Sequence, residues 1–353
     1  MAGLVAAARA RQLRLSPVVY EKGSRVGGSM LLSSCVIWRY RSLEDFRREC
    51  PGGDERLQRA VVERLDEALA WLESLGAEPV WRATGNPLTL GRRYEPSALT
   101  DVLVRAAGGG VHIGKRAEKH AAVELPTVLA TGGFSVRYAR EHGLLVRSNP
   151  WSEGEGIELA LQRGAATTAG MDEFYGRNMP APPARIREED YVPLAQLYGR
   201  HALVLNDDGE AFFDGDVSWS ETDLVQATAR QRNARAWYVV GDDALAQPVR
   251  DGTVRDLVEA ARTAGGAVVA PFELPFATPE WARVAVRVMP GVTHTIGGVR
   301  VDERARVLDD DGATIDGLYA AGADVGGISN GGYASGLAAA LVFGLAAAES
   351  LAS

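Results

Sequence analysis

Residues 1–30 read MAGLVAAARARQLRLSPVVYEKGSRVGGSM, and the fold follows from this stretch. Leu4, Val5, Ala7, Ala8 and Leu13 lie on one helical stripe, with Arg9, Arg11 and Arg14 between them, which predicts a helix over Gly3–Leu13. Ser16-Pro17 ends it, and Val18–Tyr20 predicts a short buried strand that closes on the acid Glu21. A helix and then a strand ending in an acid, about twenty residues past a glycine turn, make the second half of a dinucleotide-binding βαβ unit. The acid accepts hydrogen bonds from a ribose diol, and the helix start offers free N–H groups to a pyrophosphate. Gly3 stands where the last glycine of the turn belongs. The first strand and the two earlier glycines do not precede it, so the expectation is that Met1 is not the natural start of a fully functional protein. The absent strand would lie between Val18–Tyr20 and Leu318–Ala320.

The continuation Glu21-Lys22-Gly23-Ser24-Arg25-Val26-Gly27-Gly28-Ser29 makes this signal specific. It resembles the FAD-binding region of the flavoprotein superfamily of fumarate reductase, the succinate dehydrogenase flavoprotein subunit and the 3-ketosteroid Δ1-dehydrogenases. The resemblance implies that Glu21 and Lys22 grip the adenosine ribose, and that Gly27, Gly28 and Ser29 let backbone reach the FAD phosphates. Some members attach flavin to a histidine in the stretch that corresponds to Leu31–Trp38. None occurs here, so FAD is expected to be held non-covalently, and Cys35 reads as a buried structural cysteine.

Farther along, Leu57, Val61, Leu65, Leu69 and Leu72 repeat at helical spacing, and the helix is expected over Leu43–Leu75. Pro87–Gly91 reads as a loop and Glu95–Ala107 as a helix. Val111–Gly133 reads as strand, polar stretch, strand, closing on Ala130-Thr131-Gly132-Gly133. The superfamily carries that turn where its FAD domain passes the cofactor, usually after a small β-meander. Here Lys115–Pro126 leaves room only for a shortened one. Gly154-Glu155-Gly156 and the following helix match the family's Gly-acid-Gly turn beside the flavin; alone they read as a helix start with an acid in its first turn.

The hairpin His201–Phe213 resembles a segment of the family's capping domain. The proton-donating arginine of fumarate reductases then falls at Trp219, which argues against fumarate reduction. His294-Thr295-Ile296-Gly297-Gly298 resembles a segment in which the histidine contacts substrate; the plainer reading of His294 is a hinge histidine bonded locally. Ile315–Gly322 matches the family's strand before a flavin-binding acid. Ala323 holds the acid's place, so the ribityl role passes to Asp324 only if the turn is shifted by one residue. The last helix, Leu337–Ala352, is expected to turn the N–H groups of Gly336, Leu337 and Ala338 toward the flavin, where a helix start stabilises developing negative charge. Gly331 stands in place of a substrate-binding arginine, and Tyr333 is out of register with a ketosteroid dehydrogenase tyrosine.

Composition narrows the remaining classes. The net charge of −8 argues against a nucleic-acid partner. Cys35 and Cys50 imply neither a disulfide framework nor a zinc site, so no metal is expected. No apolar run reaches spanning length and no leader pattern precedes the first helix, which reads as a cytoplasmic chain without membrane insertion. The expected fold is α/β: a Rossmann-like FAD-binding domain without its first strand, over 1–165 and 290–353, with an inserted α+β capping domain over 166–289. The expected activity is hydride transfer between flavin N5 and a small organic substrate with an activated C–H or C=C bond, with an unidentified electron acceptor or donor. The polar roles fall to His294, Tyr333 and Tyr175; the last also reads as a packed loop aromatic. The cofactor contacts fall to Gly3, Glu21, Lys22, Gly27, Gly28, Ser29, Ala130, Thr131, Gly132, Gly154, Gly156, Gly322, Asp324, Gly336, Leu337 and Ala338. The alternatives are a truncated, non-catalytic flavoprotein remnant and a nicotinamide-dependent Rossmann dehydrogenase.

Overall fold

In the computed structural model, which describes residues 1–117 and 125–353, the N-terminal helix spans Ala2–Gln12. Its small apolar face packs on the C-terminal helix, Gly336–Leu351, at Gly344. A Cβ built on Gly344 would lie 3.0 Å from both the Ala2 carbonyl oxygen and Val5 Cγ1, so a glycine is what lets the two backbones approach.

The chain divides into two units. The first holds Met1–Arg137, Ser148–Phe174 and His294–Ser353. Its parallel strands form separate sheets. Val19–Glu21 pairs with Val111–Ile113, and Thr127–Leu129 pairs with the end of Thr314–Ala320. The latter strand also pairs antiparallel with Arg306–Leu308. The strand expected to be buried at Val18–Tyr20 is not: Val18 and Tyr20 are 54% and 52% exposed. Among the described residues it has one neighbouring strand, and the Tyr20 ring stacks on His112 at a centroid distance of 5.7 Å.

Two further expectations change. The helix expected over Leu43–Leu75 is two, Leu43–Glu49 and Glu55–Ser74, because Pro51-Gly52-Gly53 interrupts it. Each piece has its own cap: Ser42 Oγ accepts from the Asp45 N–H at 3.0 Å, and Asp54 Oδ1 from the Arg56 N–H at 2.8 Å. The loop expected at Pro87–Gly91 holds only for Pro87 and Leu88; Thr89–Gly91 begin a strand, Thr89–Tyr94, in an antiparallel sheet with Val36–Tyr40 and Pro79–Trp81. Gly91 sits opposite Trp38, where a side chain would meet the Trp38 Cβ at 2.6 Å, so tertiary packing overrides its low strand propensity. The shortened crossing expected over Lys115–Pro126 falls largely on residues 118–124, outside the described residues.

The second unit holds Tyr138–Arg147 and Tyr175–Thr293. Its sheet runs Val268–Val269, Val284–Thr295, Ala236–Val240, Leu203–Leu205, and both Leu145–Val146 and Phe174–Pro180 also pair with the long strand. Helices Thr222–Ala229 and Val254–Thr263 supply Leu224, Val254 and Val258 to a core with Tyr198, Tyr238 and Val286. The hairpin at Asp207-Asp208-Gly209 closes on Asn206, whose Oδ1 accepts from the N–H groups of Asp208 (3.0 Å) and Glu210 (2.9 Å). Tyr175, which also read as a packed loop aromatic, lies in a strand, Phe174–Pro180, that is buried at every position and pairs with Val284–Thr295.

Candidate cofactor site

Several of the motifs meet in the first unit. The helix start lies between two turns: a Cβ on Gly3 would be 3.4 Å from Ala130 Cβ, and one on Gly322 would be 3.1 Å from Ala2 Cβ. Asp324 is fully buried at the centre. Its carboxylate accepts from the Thr131 N–H, from Thr131 Oγ1 at 2.8 Å and from the Gly133 N–H at 3.0 Å; the Gly132 N–H also faces it. Burial pushes its carboxyl above the usual range, against these hydrogen bonds. A carboxylate has about four acceptor directions, and these donors take them, so Asp324 serves to hold the Ala130–Gly133 turn against the strand Thr314–Ala320. Gly156 lies on the other side of Thr131, with room for no side chain: its Cβ would be 2.5 Å from Thr131 Oγ1. Gly154 starts that helix in a left-handed conformation.

The expected ribose end is assembled from Glu21 and Lys22. Glu21 Oε1 accepts from the Gly23 N–H at 2.7 Å, which shapes the turn. Lys22 Nζ binds Glu155 Oε1, beside Glu153 Oε2 at 3.8 Å. Burial opposes the Glu155 charge, but Lys22, its own backbone N–H and Arg116 outweigh it and hold that carboxyl below its usual range. Gly27 caps the short helical turn Gly28–Leu32, and Ser29 Oγ accepts from the Asn149 N–H at 3.0 Å.

At the C-terminal helix, Ser335 Oγ caps the Ala338 N–H at 3.3 Å and donates to the Val36 carbonyl at 3.3 Å. Of the three N–H groups expected to face a ligand, that of Ala338 is therefore committed to the cap. Those of Gly336 and Leu337 have no intrahelical partner, and Gly336 is exposed. The half-buried His294 ring stands over this turn, with Cε1 3.2 Å from where a Gly336 Cβ would be. Loss of water around the imidazole lowers its pKa to about 4, so it is neutral near pH 7. Tyr333 packs edge-on to Trp38, centroids 5.3 Å apart, and its carbonyl accepts from Tyr40 Oη at 2.6 Å.

Tyr175 belongs to the second unit, where the Arg177 guanidinium lies 5.0 Å from its ring centroid. Next to it is a group missed in the sequence. Glu221 is 2% exposed and holds a left-handed backbone (φ 54°) before the helix Thr222–Ala229. Burial pushes its carboxyl up to about 7, against Arg177, Arg200 and the N–H groups of Gly199 and Arg200. Arg177 donates to the Ser220 carbonyl, and Arg200 to that of Trp219 at 3.0 Å. A positive φ at a glutamate has no signature in one sequence.

Residues 97–337 match the family described as FAD binding domain. The chain belongs to that family. It is similar to the NADH:fumarate oxidoreductase of Klebsiella pneumoniae, 26% identical over 97% of this chain and 46% of that protein. It is also similar to a fumarate reductase (cytochrome) of Shewanella frigidimarina, 24% identical over 57% of this chain and 40% of that protein. The chain thus spans less than half the length of these curated relatives. In fold it resembles the open conformation of a flavocytochrome c3 fumarate reductase, with TM-score 0.70 and 20% identity over 99% of this chain and 76% of that one. A 3-ketosteroid Δ1-dehydrogenase from Sterolibacterium denitrificans gives TM-score 0.71 at 16% identity, covering 99% of this chain and 97% of that one. The fold is thus the expected α/β FAD-binding one, and the family's cofactor is FAD. The residues fit it in one respect: the exposed first turn of the C-terminal helix has N–H groups to offer. No helix among the described residues is long and apolar enough to cross a membrane.

Proposed function

We propose that this chain is the flavin-bearing part of a cytoplasmic oxidoreductase acting on a small organic substrate with an activated C–H or C=C bond, together with an electron acceptor or donor not yet identified. Bound here, FAD would supply a hydride acceptor or donor at flavin N5. The observation that carries the reading is the meeting, in the first unit, of the Ala130–Gly133 turn, the Gly154–Gly156 helix start, Asp324 and the Gly336 helix start beside His294.

In this reading Glu21 and Lys22 hold the adenosine end, Gly27, Gly28 and Ser29 the phosphates, and Gly336 and Leu337 the flavin edge. Asp324 acts through the turn it braces. A neutral His294 has one N–H to donate, so it polarises a substrate carbonyl oxygen rather than pairing as a cation with a carboxylate. Tyr333 is the proton donor or acceptor of the first unit. The second unit is the substrate domain, with Tyr175 as its polar candidate. The test is to purify the chain, add FAD, and record the visible spectrum while enones, enoates and saturated ketones are added without oxygen. Bleaching of the flavin band by one substrate class supports the proposal. A chain that takes up no flavin refutes it and leaves the remnant reading; one that binds a nicotinamide cofactor instead supports the Rossmann dehydrogenase.

A further inference from the structure

The antiparallel sheet of the first unit has two faces with different neighbours. Side chains alternate across a strand, so Val36, Trp38 and Tyr40 share one face with their opposite partners Arg93, Gly91 and Thr89. Ile37 and Arg39 share the other face with Arg92 and Leu90. That second face is tied to the helix Glu55–Ser74: Arg39 Nη2 lies 2.6 Å from Asp66 Oδ2, and Arg92 Nη1 lies 2.5 Å from Glu73 Oε1. The first face meets the candidate site. The Trp38 ring packs edge-on to Tyr333, Tyr40 Oη donates to the Tyr333 carbonyl, and Ser335, the cap of the C-terminal helix, donates to the Val36 carbonyl.

Arg93 is a cation on this face. It is half-buried, and among the described residues it makes no hydrogen bond, ion pair or ring contact. The acids nearest it in the sheet and the next turn are committed elsewhere: Glu73 to Arg82 and Arg92, Glu95 to Ser97 Oγ at 2.7 Å and the Ala98 N–H at 2.6 Å. Gly91 leaves the face bare beside it, next to Trp38. Burial raises the Cys35 thiol to about 12, and the Met1 amine and Arg93 act against that rise, so both charges are close by. Val36, the next residue, carries the bond to Ser335. Cys35-Val36 is therefore the point at which Arg93 and the starts of the N-terminal and C-terminal helices converge. An arginine with a packed stem, a partly solvated head and no carboxylate to neutralise it suits an oxyanion, which its planar fork binds with two parallel hydrogen bonds.

We propose that Arg93 is an anion-binding residue of the FAD site, and that its guanidinium takes an oxyanion there, either a carboxylate of the substrate or the pyrophosphate of FAD. This rests on the FAD site proposed above.

The test compares the full chain as wild type, Arg93→Gln and Arg93→Lys. FAD and riboflavin affinities are read by flavin fluorescence. Malonate and its neutral diamide, malonamide, are then titrated into the FAD-loaded proteins while the flavin absorption band is followed. The melting temperature without FAD should be level across the three, because Arg93 has no partner to lose. Arg93→Gln is expected to weaken one anion by about tenfold, with Arg93→Lys in between. Weaker FAD with unchanged riboflavin assigns the pyrophosphate; weaker malonate with unchanged FAD and malonamide assigns the substrate carboxylate. Unchanged FAD affinity in Arg93→Gln, with a malonate response equal in the two proteins or absent from both, overturns the inference. So does an equal loss of FAD and riboflavin with a lowered melting temperature, which marks a structural role. If wild type itself takes up no FAD, the cofactor reading has failed first, and this inference falls with it.

Discussion

Two groups with opposite pH linkage sit in this chain, and removing either should expose the other. Glu221, buried in the second unit, is raised from 4.5 to about 7. Between those values the folded chain keeps a proton that the unfolded chain releases. Its contribution to stability is therefore fully present below about pH 4.5 and is lost as pH rises through 7. At about 1.4 kcal/mol per pKa unit, the change is about 3 kcal/mol. His294, in the first unit, is lowered from 6.5 to about 4. Here the unfolded chain binds the proton that the folded chain refuses, so stability is present above pH 6.5 and is lost as pH falls toward 4. Because the ring keeps part of its surface in water, its share is discounted to about 1–3 kcal/mol. Between about pH 4.5 and 6.5 the two slopes oppose each other, and the wild type should show little net change from this pair. Urea unfolding at pH 4.5, 5.5, 6.5 and 7.5 reads both. Relative to wild type, Glu221→Gln should lose stability on acidification below pH 6.5, and His294→Gln should lose it as pH rises from 4.5 to 7.5. If the Glu221→Gln profile runs parallel to wild type across the range, the Glu221 carboxyl does not titrate there and the burial argument is wrong.

Three other outcomes follow from single side chains. Glu21→Ala should lower FAD affinity by roughly 1–3 kcal/mol, the loss of a charged hydrogen-bond partner; unchanged retention on gel filtration would count against its ribose role. His294→Ala should slow substrate-driven flavin bleaching while FAD content stays near wild type, and loss of FAD instead would place the residue in the cofactor scaffold. Gly344→Leu puts a side chain where its Cβ alone would be 3.0 Å from Val5 Cγ1 and the Ala2 oxygen; it should cost about 1–3 kcal/mol of stability, seen in thermal melts, and a neutral result would mean that the N-terminal helix does not pack there.

Much of the first unit was legible because its signals are local. The Ala-rich stripe of Ala2–Gln12, the glycine turns at Gly27-Gly28 and Gly132-Gly133, and the strand ending at Ala320 each sit within a few residues of chain. One misjudgement was of a local signal and another of a tertiary one. Leucines at helical spacing carried the expected helix across Pro51-Gly52-Gly53, although proline and two glycines are the residues that end one. Val18-Val19-Tyr20 looks like a buried strand by composition alone, and whether it is buried depends on how many strands pair beside it. Ser335 could have been found: a serine just before a long apolar helical run is an N-cap pattern, and its cap explains why Ala338 is not available to a ligand.

The strap Asn149–Ser152 shows the limit of such reading. Asn149 meets Ser29 through its N–H, Trp151 packs flat on Gly23 and is flanked by the Arg25 guanidinium at 5.5 Å, and Ser152 meets Gly132. Two neighbouring turns, at Gly23 and at Gly27–Ser29, and a third more than a hundred residues away at Gly132 thus share one short irregular partner. Nothing in Asn-Pro-Trp-Ser is periodic, and the absence of a side chain at Gly23 or Gly132 says only that something comes close, not what. The glycines mark one side of each contact in the sequence; the other side is identified only when the chain is folded. A glycine kept for close approach therefore has two candidate neighbours, a ligand or another part of the chain. At Gly23 the structure places the Trp151 ring there. At Gly132 and Gly133 it places the hydroxyls of Ser152 and Thr295, so there too the neighbour that forbids a side chain is another part of the chain.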